Sequence, residues 1–133
     1  MTRYLLDTNI ISDLVRNPAG QARQRLLAAG DENVCTSIIV ASELRYGCAK
    51  KGSSKLQQRV EDVLALIPVL PLEAPADVEY GAIRTNLERR GQPIGHNDLL
   101  IAAHASVLGT TLVTANVGEF SRIDTLKVEN WLE

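Results

Sequence analysis

The stretch Tyr4-Leu5-Leu6-Asp7-Thr8-Asn9-Ile10-Ile11-Ser12, YLLDTNIIS, decides how the rest of the chain reads. Tyr4–Leu6 is short and apolar, as a buried strand is, and Asp7 stands where that strand ends. A buried, unpaired carboxylate is costly, so Asp7 requires water, a cation or a hydrogen-bond donor. Thr8 or Asn9 is suited to cap a helix that carries Ile10, Ile11, Leu14 and Val15 on one face. Asn17-Pro18 ends that helix.

The same alternation continues outward. Gln21–Ala29 reads as a short helix closed by Gly30, and Val34–Thr36 as a second strand. Ser37 caps a helix from Ile38 to about Lys50. Lys51-Gly52-Ser53-Ser54 is the most loop-like stretch, and helix resumes at Lys55 through Leu56, Val60, Val63, Leu64 and Ile67. Val69 and Leu70, between two prolines, read as a short edge strand. Ala76–Arg90 reads as a helix ending at Gly91, a position that favours glycine. Asn97 is placed to cap the next helix, whose apolar residues run all round its axis, a sign of burial. Thr110–Thr114, TTLVT, is a strong strand, and Leu126–Val128 a last one.

Strands and helices alternating in this way predict an α/β fold with a mostly parallel sheet covered on both faces. In such folds ligands sit outside the carboxyl ends of the strands. Asp7 follows the first strand, and Asn116 and Glu119 follow TTLVT, so all three are expected at one edge of the sheet.

Bulk properties fit this reading. The 133 residues suggest a single domain, 1–133, able to bury roughly two-thirds of its unfolded surface. Hydrophobic residues make up 45% and charged residues 23%, a globular profile. The net charge of −2 and pI of about 5.7 give no whole-chain sign of nucleic-acid binding, which leaves a local basic face. Cys35 and Cys48 form no CxxC pair and follow no secretory signal, so both are expected as buried, reduced thiols in a cytoplasmic protein. No run of ~18 apolar residues predicts a membrane span.

Two further carboxylates have unusual settings. Glu43 lies in SIIVASELRYG, within an otherwise apolar helix, and Asp98 in IGHNDLLIAAHA, at the start of the most apolar one. Either is explained singly by the helix dipole. If Asp7, Glu43 and Asp98 converge, their repulsion demands protonation or a cation. Oxygen-only ligands at an open cleft suit Mg²⁺ or Mn²⁺ rather than Zn²⁺, and point to metal-assisted attack on a phosphate ester. His96 and His104 show no zinc spacing and are expected to be structural.

Four stretches in order resemble the PIN-domain ribonucleases, and within them the VapC toxins: LLDTNIIS at Leu5–Ser12, SELRYG at Ser42–Gly47, IGHNDLLIAAHA at Ile94–Ala105, and LVTANVGEF at Leu112–Phe120. The ending LKVENW, Leu126–Trp131, is also similar. The resemblance spans nearly the whole chain and implies a three-layer α/β/α fold. By position, Asp7, Glu43 and Asp98 match the family's catalytic, metal-binding carboxylates. Asn116 and Glu119 match neighbouring metal positions, and Thr8, Asn9 and Thr114 match supporting polar groups.

The implied activity is Mg²⁺-dependent hydrolysis of RNA, with Mn²⁺ able to substitute, leaving 5′-phosphate and 3′-hydroxyl ends. The implied partners are a homodimeric copy and a VapB-type antitoxin, which blocks the cleft and carries the complex to operator DNA. Two departures stand out. Asn116 is neutral, which lowers the charge of the site. Val117-Gly118 replaces a polar residue followed by Arg, so another cation must meet phosphate. The candidates for RNA contact are Arg45, Lys50, Lys51 and Lys55, and separately Arg84, Arg89 and Arg90. Leu14, Val15, Val60, Val63 and Leu64 fill the core or form a partner groove.

Other readings lack their residues. A haloacid dehalogenase-type phosphohydrolase needs a second Asp where Asn9 stands. A receiver domain needs an acidic pair and a late Lys after TTLVT. Walker A and GxGxxG motifs are absent. The remaining alternative is a PIN-like module that binds RNA or a partner without cutting.

Overall fold

The computed structural model describes residues 3–133. Five strands form one parallel sheet: β1 (Tyr4–Leu6), β2 (Val34–Ser37), β3 (Val69–Leu70), β4 (Thr111–Val113) and β5 (Val128–Glu129), in the order β3-β2-β1-β4-β5. β1 is central, with Leu5 opposite Cys35 on one side and Leu112 on the other. Every residue of β2 is buried, as expected when helices cover both faces of a parallel sheet.

The helices are α1 (Thr8–Arg16), α2 (Gln21–Ala29), α3 (Ile38–Lys51), α4 (Ser54–Leu66), α5 (Ala76–Arg89), α6 (His96–Leu108) and α7 (Val117–Phe120). A 3₁₀ turn spans Asp31–Asn33. α1 packs on α3 and α4, α5 packs on α6, and α6 also meets α3 and β4. The core comprises Leu5, Leu6, Ile10, Ile11, Ile101, Leu112, Val113 and Phe120, all fully buried. Trp131 meets Tyr4 edge-to-face at 5.3 Å and ties the C-terminal segment to β1. Among the described residues, no helix is long and apolar enough to cross a membrane.

The α/β/α expectation holds, and the edge position of β3 with it. Gly30 and Gly91 close α2 and α5 with φ of 89° and 68°, conformations that glycine adopts without strain. Two caps differ from expectation. α1 is capped by Asp7 itself: its backbone is extended, and its side chain accepts from the Thr8 N–H at 2.8 Å. Aspartate is among the best caps, and here the single residue after the strand opens the helix. α6 begins one residue before Asn97, at His96, behind Gly95, with no side-chain cap. Asn97 instead reaches Glu43 Oε2 at 3.4 Å. The last strand sits slightly later than expected, at Val128–Glu129.

The connections gather three helix N-termini at one edge. β1 runs into α1 through Asp7, β2 into α3 through Ser37, and β4 leads to α7 through Asn116.

Candidate active site

Asp7 is 3% exposed at the carboxyl end of the central strand. The donors it requires are present. Oδ1 accepts from the Thr8 N–H, and Oδ2 accepts from Thr114 Oγ1 at 2.7 Å and, more weakly, from Asn9 Nδ2 at 3.4 Å. Thr114 is fully buried and its hydroxyl also accepts from the Asn116 N–H at 3.0 Å. Asn9 Oδ1 accepts from the Ala115 N–H at 2.9 Å. Thr114 and Asn9 thus lock Asp7 to the segment after β4. Burial raises the Asp7 carboxyl above its ordinary 3.8, and the Glu43 charge adds to this. The bonds from Thr114, Thr8 and Asn9 oppose the rise.

Glu43 sits in the second turn of α3, half-buried. Its Oε1 accepts from Thr8 Oγ1 at 2.5 Å, which pins α1 to α3 at the site. Asp98 lies in the first turn of α6, also half-buried. Its carboxyl is pushed up to about 7: burial leads, followed by the adjacent Glu119 carboxylate and then Asp7 and Glu43. The three carboxylates of the sequence reading therefore feel one another across one space.

That space is a cleft of about 520 Å³ lined by Asp7, Thr8, Asn9, Glu43, Asp98 and Asn116 at its acidic end. Glu119 stands beside Asp98 rather than in the lining, and Thr114 lies beneath Asp7. Among the described residues, no three or more His, Cys, Asp or Glu side chains already stand together as a ready metal-ligand group. The donor set still fits a hard divalent ion. It is all oxygen, it opens on a cleft, and its crowded negative charge holds the Asp98 carboxyl well above its ordinary value.

The basic candidates separate. Lys51 lines the cleft, whereas Arg45 and Lys50 do not. Arg45 forms a two-pronged pair with Glu61, at 3.0 and 2.9 Å. Arg84 pairs with Glu88 at 3.1 Å and donates to the Tyr80 hydroxyl, in a separate recess near His96. Arg90 donates to the Arg122 carbonyl at 2.7 Å, and Arg89 lies exposed at the end of α5.

Leu14 and Leu64 are buried in the core, whereas Val15 and Val60 are buried and also line the cleft. His104 is buried, its Nδ1 2.8 Å from Ser37 Oγ, as a structural histidine should be. Arg16 and Ser12 were missed. They line the cleft because Thr8, Ser12 and Arg16 recur at four-residue intervals along α1, a periodicity visible in the sequence.

Fold and site together define a parallel α/β protein with an oxygen-lined acidic cleft at the carboxyl edge of its sheet. Comparison with known proteins narrows the class. The PIN domain family model matches residues 4–126. Ribonuclease VapC2 of Rickettsia felis is 39% identical, over 96% of this chain and 97% of that protein. The tRNA(fMet)-specific endonuclease VapC of Shigella flexneri is 35% identical, over 98% and 99%. The crystal structure of VapBC2 from Rickettsia felis bound to a DNA fragment from their promoter contains a chain with a TM-score of 0.89 at 36% identity, covering 98% of this chain and 99% of that one. The chain belongs to the PIN-domain family, on the VapC ribonuclease branch. PIN-domain nucleases generally depend on divalent metal ions.

Proposed function

We propose that this chain is the toxin of a toxin–antitoxin pair: a divalent metal-dependent endoribonuclease whose whole length, residues 1–133, acts as one PIN domain. The observation that carries the reading is the meeting of Asp7, Glu43 and Asp98, from three different elements, around one cleft in a chain of this family. Asp7, Asp98 and Glu43 would hold the ion, with Asn116 and Glu119 as outer neighbours. Mg²⁺ suits these oxygen donors, and Mn²⁺ can replace it. When bound, the ion supplies Lewis acidity towards the phosphoryl oxygen and the attacking water.

The protein's own part is orientation. Thr114 and the Thr8 N–H hold both Asp7 oxygens in place. Thr8 Oγ1 and Asn97 hold the two Glu43 oxygens, leaving that carboxylate directed at the cleft to orient water. Water attacks phosphorus, the bond to the 3′ oxygen breaks, and a proton passes to that oxygen. The products carry 5′-phosphate and 3′-hydroxyl ends, and no covalent protein intermediate is required.

The partners follow from the relatives. The neighbouring structures include VapBC complexes, some bound to DNA. A VapB-type antitoxin would cover the cleft, and a homodimeric toxin with its antitoxin would bind operator DNA through the antitoxin.

The test incubates the purified chain, free of antitoxin, with total cellular RNA in Mg²⁺, in Mn²⁺ and in chelator. Discrete 5′-phosphorylated fragments that need metal, and that vanish in Asp7→Asn and Asp98→Asn, are the expected result. A folded protein that cuts nothing in either metal while still retaining RNA would instead be a non-cleaving binding module.

A further inference from the structure

The acidic cleft has a second, basic end. Arg16 closes α1 and Lys51 closes α3, and both line the cleft that holds Asp7, Glu43 and Asp98. Each lies eight residues beyond a site residue on its own helix: Thr8 to Arg16, and Glu43 to Lys51. Eight residues span about 12 Å along a helix. The Thr8–Glu43 bond ties the two helices together at the acidic end. Both cations therefore stand about equally far along their own helices from the acidic end. Helical side chains lean towards the helix N-terminus, so both lean back towards the acidic end.

Neither cation has an acidic partner among the described residues, in contrast to Arg45, Arg84 and Arg90. Cations at helix C-termini are favoured by the dipole. That effect explains why each is tolerated there, but not why two face one cleft. Val15, Leu44, Leu56 and Val60 line the same cleft and give it an apolar floor.

A carboxylate cluster beside a metal site, an apolar floor and a pair of unpaired cations match the parts of a nucleotide chain. These are the scissile phosphate, a base or sugar, and the next phosphate. We infer that Arg16 and Lys51 bind a phosphate flanking the scissile one, with one nucleotide laid on the apolar floor of the cleft. This rests on the ribonuclease reading above. A duplex holds its bases stacked within and cannot lay one on this floor, whereas loops and ends can splay a base outward. Arg16 supplies a planar fork suited to phosphate, and Lys51 a compact charge.

The experiment compares wild type with Arg16→Gln, Lys51→Gln, Arg16→Lys and, as a paired-cation control, Arg45→Gln. Fluorescence anisotropy with a short, labelled, mixed-sequence single-stranded RNA is read in chelator, across a salt series. Each Gln variant is expected to weaken binding about tenfold, the lower end for a charge-assisted contact. Each should also flatten the plot of log affinity against log salt, by at most about 0.7, the value for one phosphate on a single strand. Arg16→Lys should restore most of the loss, and Arg45→Gln should match wild type. In cleavage, KM should rise with kcat nearly unchanged. A structural role would leave the salt slope as it was.

Wild-type slope and affinity in both Gln variants would overturn the inference, even with cleavage intact. Unchanged RNA binding with weakened inhibition by antitoxin would overturn it too, and assign the cations to the protein partner. Binding that depends on Arg16 and Lys51 in a wild type that never cleaves would support the phosphate contact and refute the nuclease reading instead.

Discussion

Asp98→Asn should stabilise the metal-free protein above neutral pH while abolishing cleavage. Burial, Glu119, Asp7 and Glu43 raise the Asp98 carboxyl from 3.8 to about 7. A folded-state value above the unfolded one gives a contribution present in full below about pH 4 and lost as pH rises through about 7. At 1.36 kcal/mol per pH unit, that rise sets an upper bound of about 4 kcal/mol. Asp98 is only half-buried, and solvent screens its neighbours, so about 1–2 kcal/mol is the working expectation.

Urea unfolding in chelator at pH 5 and pH 8 measures it. Asn retains the shape and drops the charge, so the variant should gain over wild type at pH 8 and much less at pH 5. Comparing variant with wild type at each pH cancels the titrating groups that do not interact with Asp98, His104 included. Added Mg²⁺ at pH 8 should then recover the wild type's lost stability and leave the variant largely unmoved, because only the carboxylate cluster binds the ion tightly. A stability difference that is the same at pH 5 and pH 8 would refute the electrostatic reasoning.

Other consequences are equally direct. Thr114→Val removes the buried hydroxyl that holds Asp7 Oδ2 and accepts from Asn116; stability should fall by about 2 kcal/mol in urea, and kcat should fall with it. His104 is held below its ordinary 6.5 by burial, against the Pro71 carbonyl and the Glu73 charge, which favour its protonation. Its contribution is present above about pH 6.5 and lost as pH falls through the lower folded value, so His104→Gln should lose less stability than wild type between pH 7 and pH 5. Arg45→Gln breaks a pair whose side chains are 49% and 40% exposed; unfolding should register less than ~0.5 kcal/mol, and RNA cleavage should stay at the wild-type rate.

Much of the fold was legible because its signals are local. An apolar run before Asp7, a serine at the start of α3 and glycines after α2 and α5 act over a few residues, and the elements formed where they pointed. The caps of α1 and α6 were misplaced by one or two residues. At each of those boundaries several neighbours could satisfy the same backbone N–H groups, and only the path of the chain chose among them. Asp7, Glu43 and Asp98 were legible as carboxylates in apolar surroundings. That they share a cleft was implied by family resemblance, not by spacing.

The sequence by itself determined the alternation of strand and helix, the apolar segments that must be buried, and the chemistry of the acidic donors. These depend on residue type and short-range periodicity. Tertiary structure alone decided the pairing of partners far apart in the chain. Thr114 reaches Asp7 across 107 residues, and Thr8 reaches Glu43 across 35. It also decided which cations remain available: Glu61 takes Arg45 out of play, while Arg16 and Lys51 line the cleft with no acidic partner among the described residues. Charge is written in the residue, but its neutralisation depends on the distance to a partner, and that distance exists only once the sheet has brought α1, α3 and α6 to one edge.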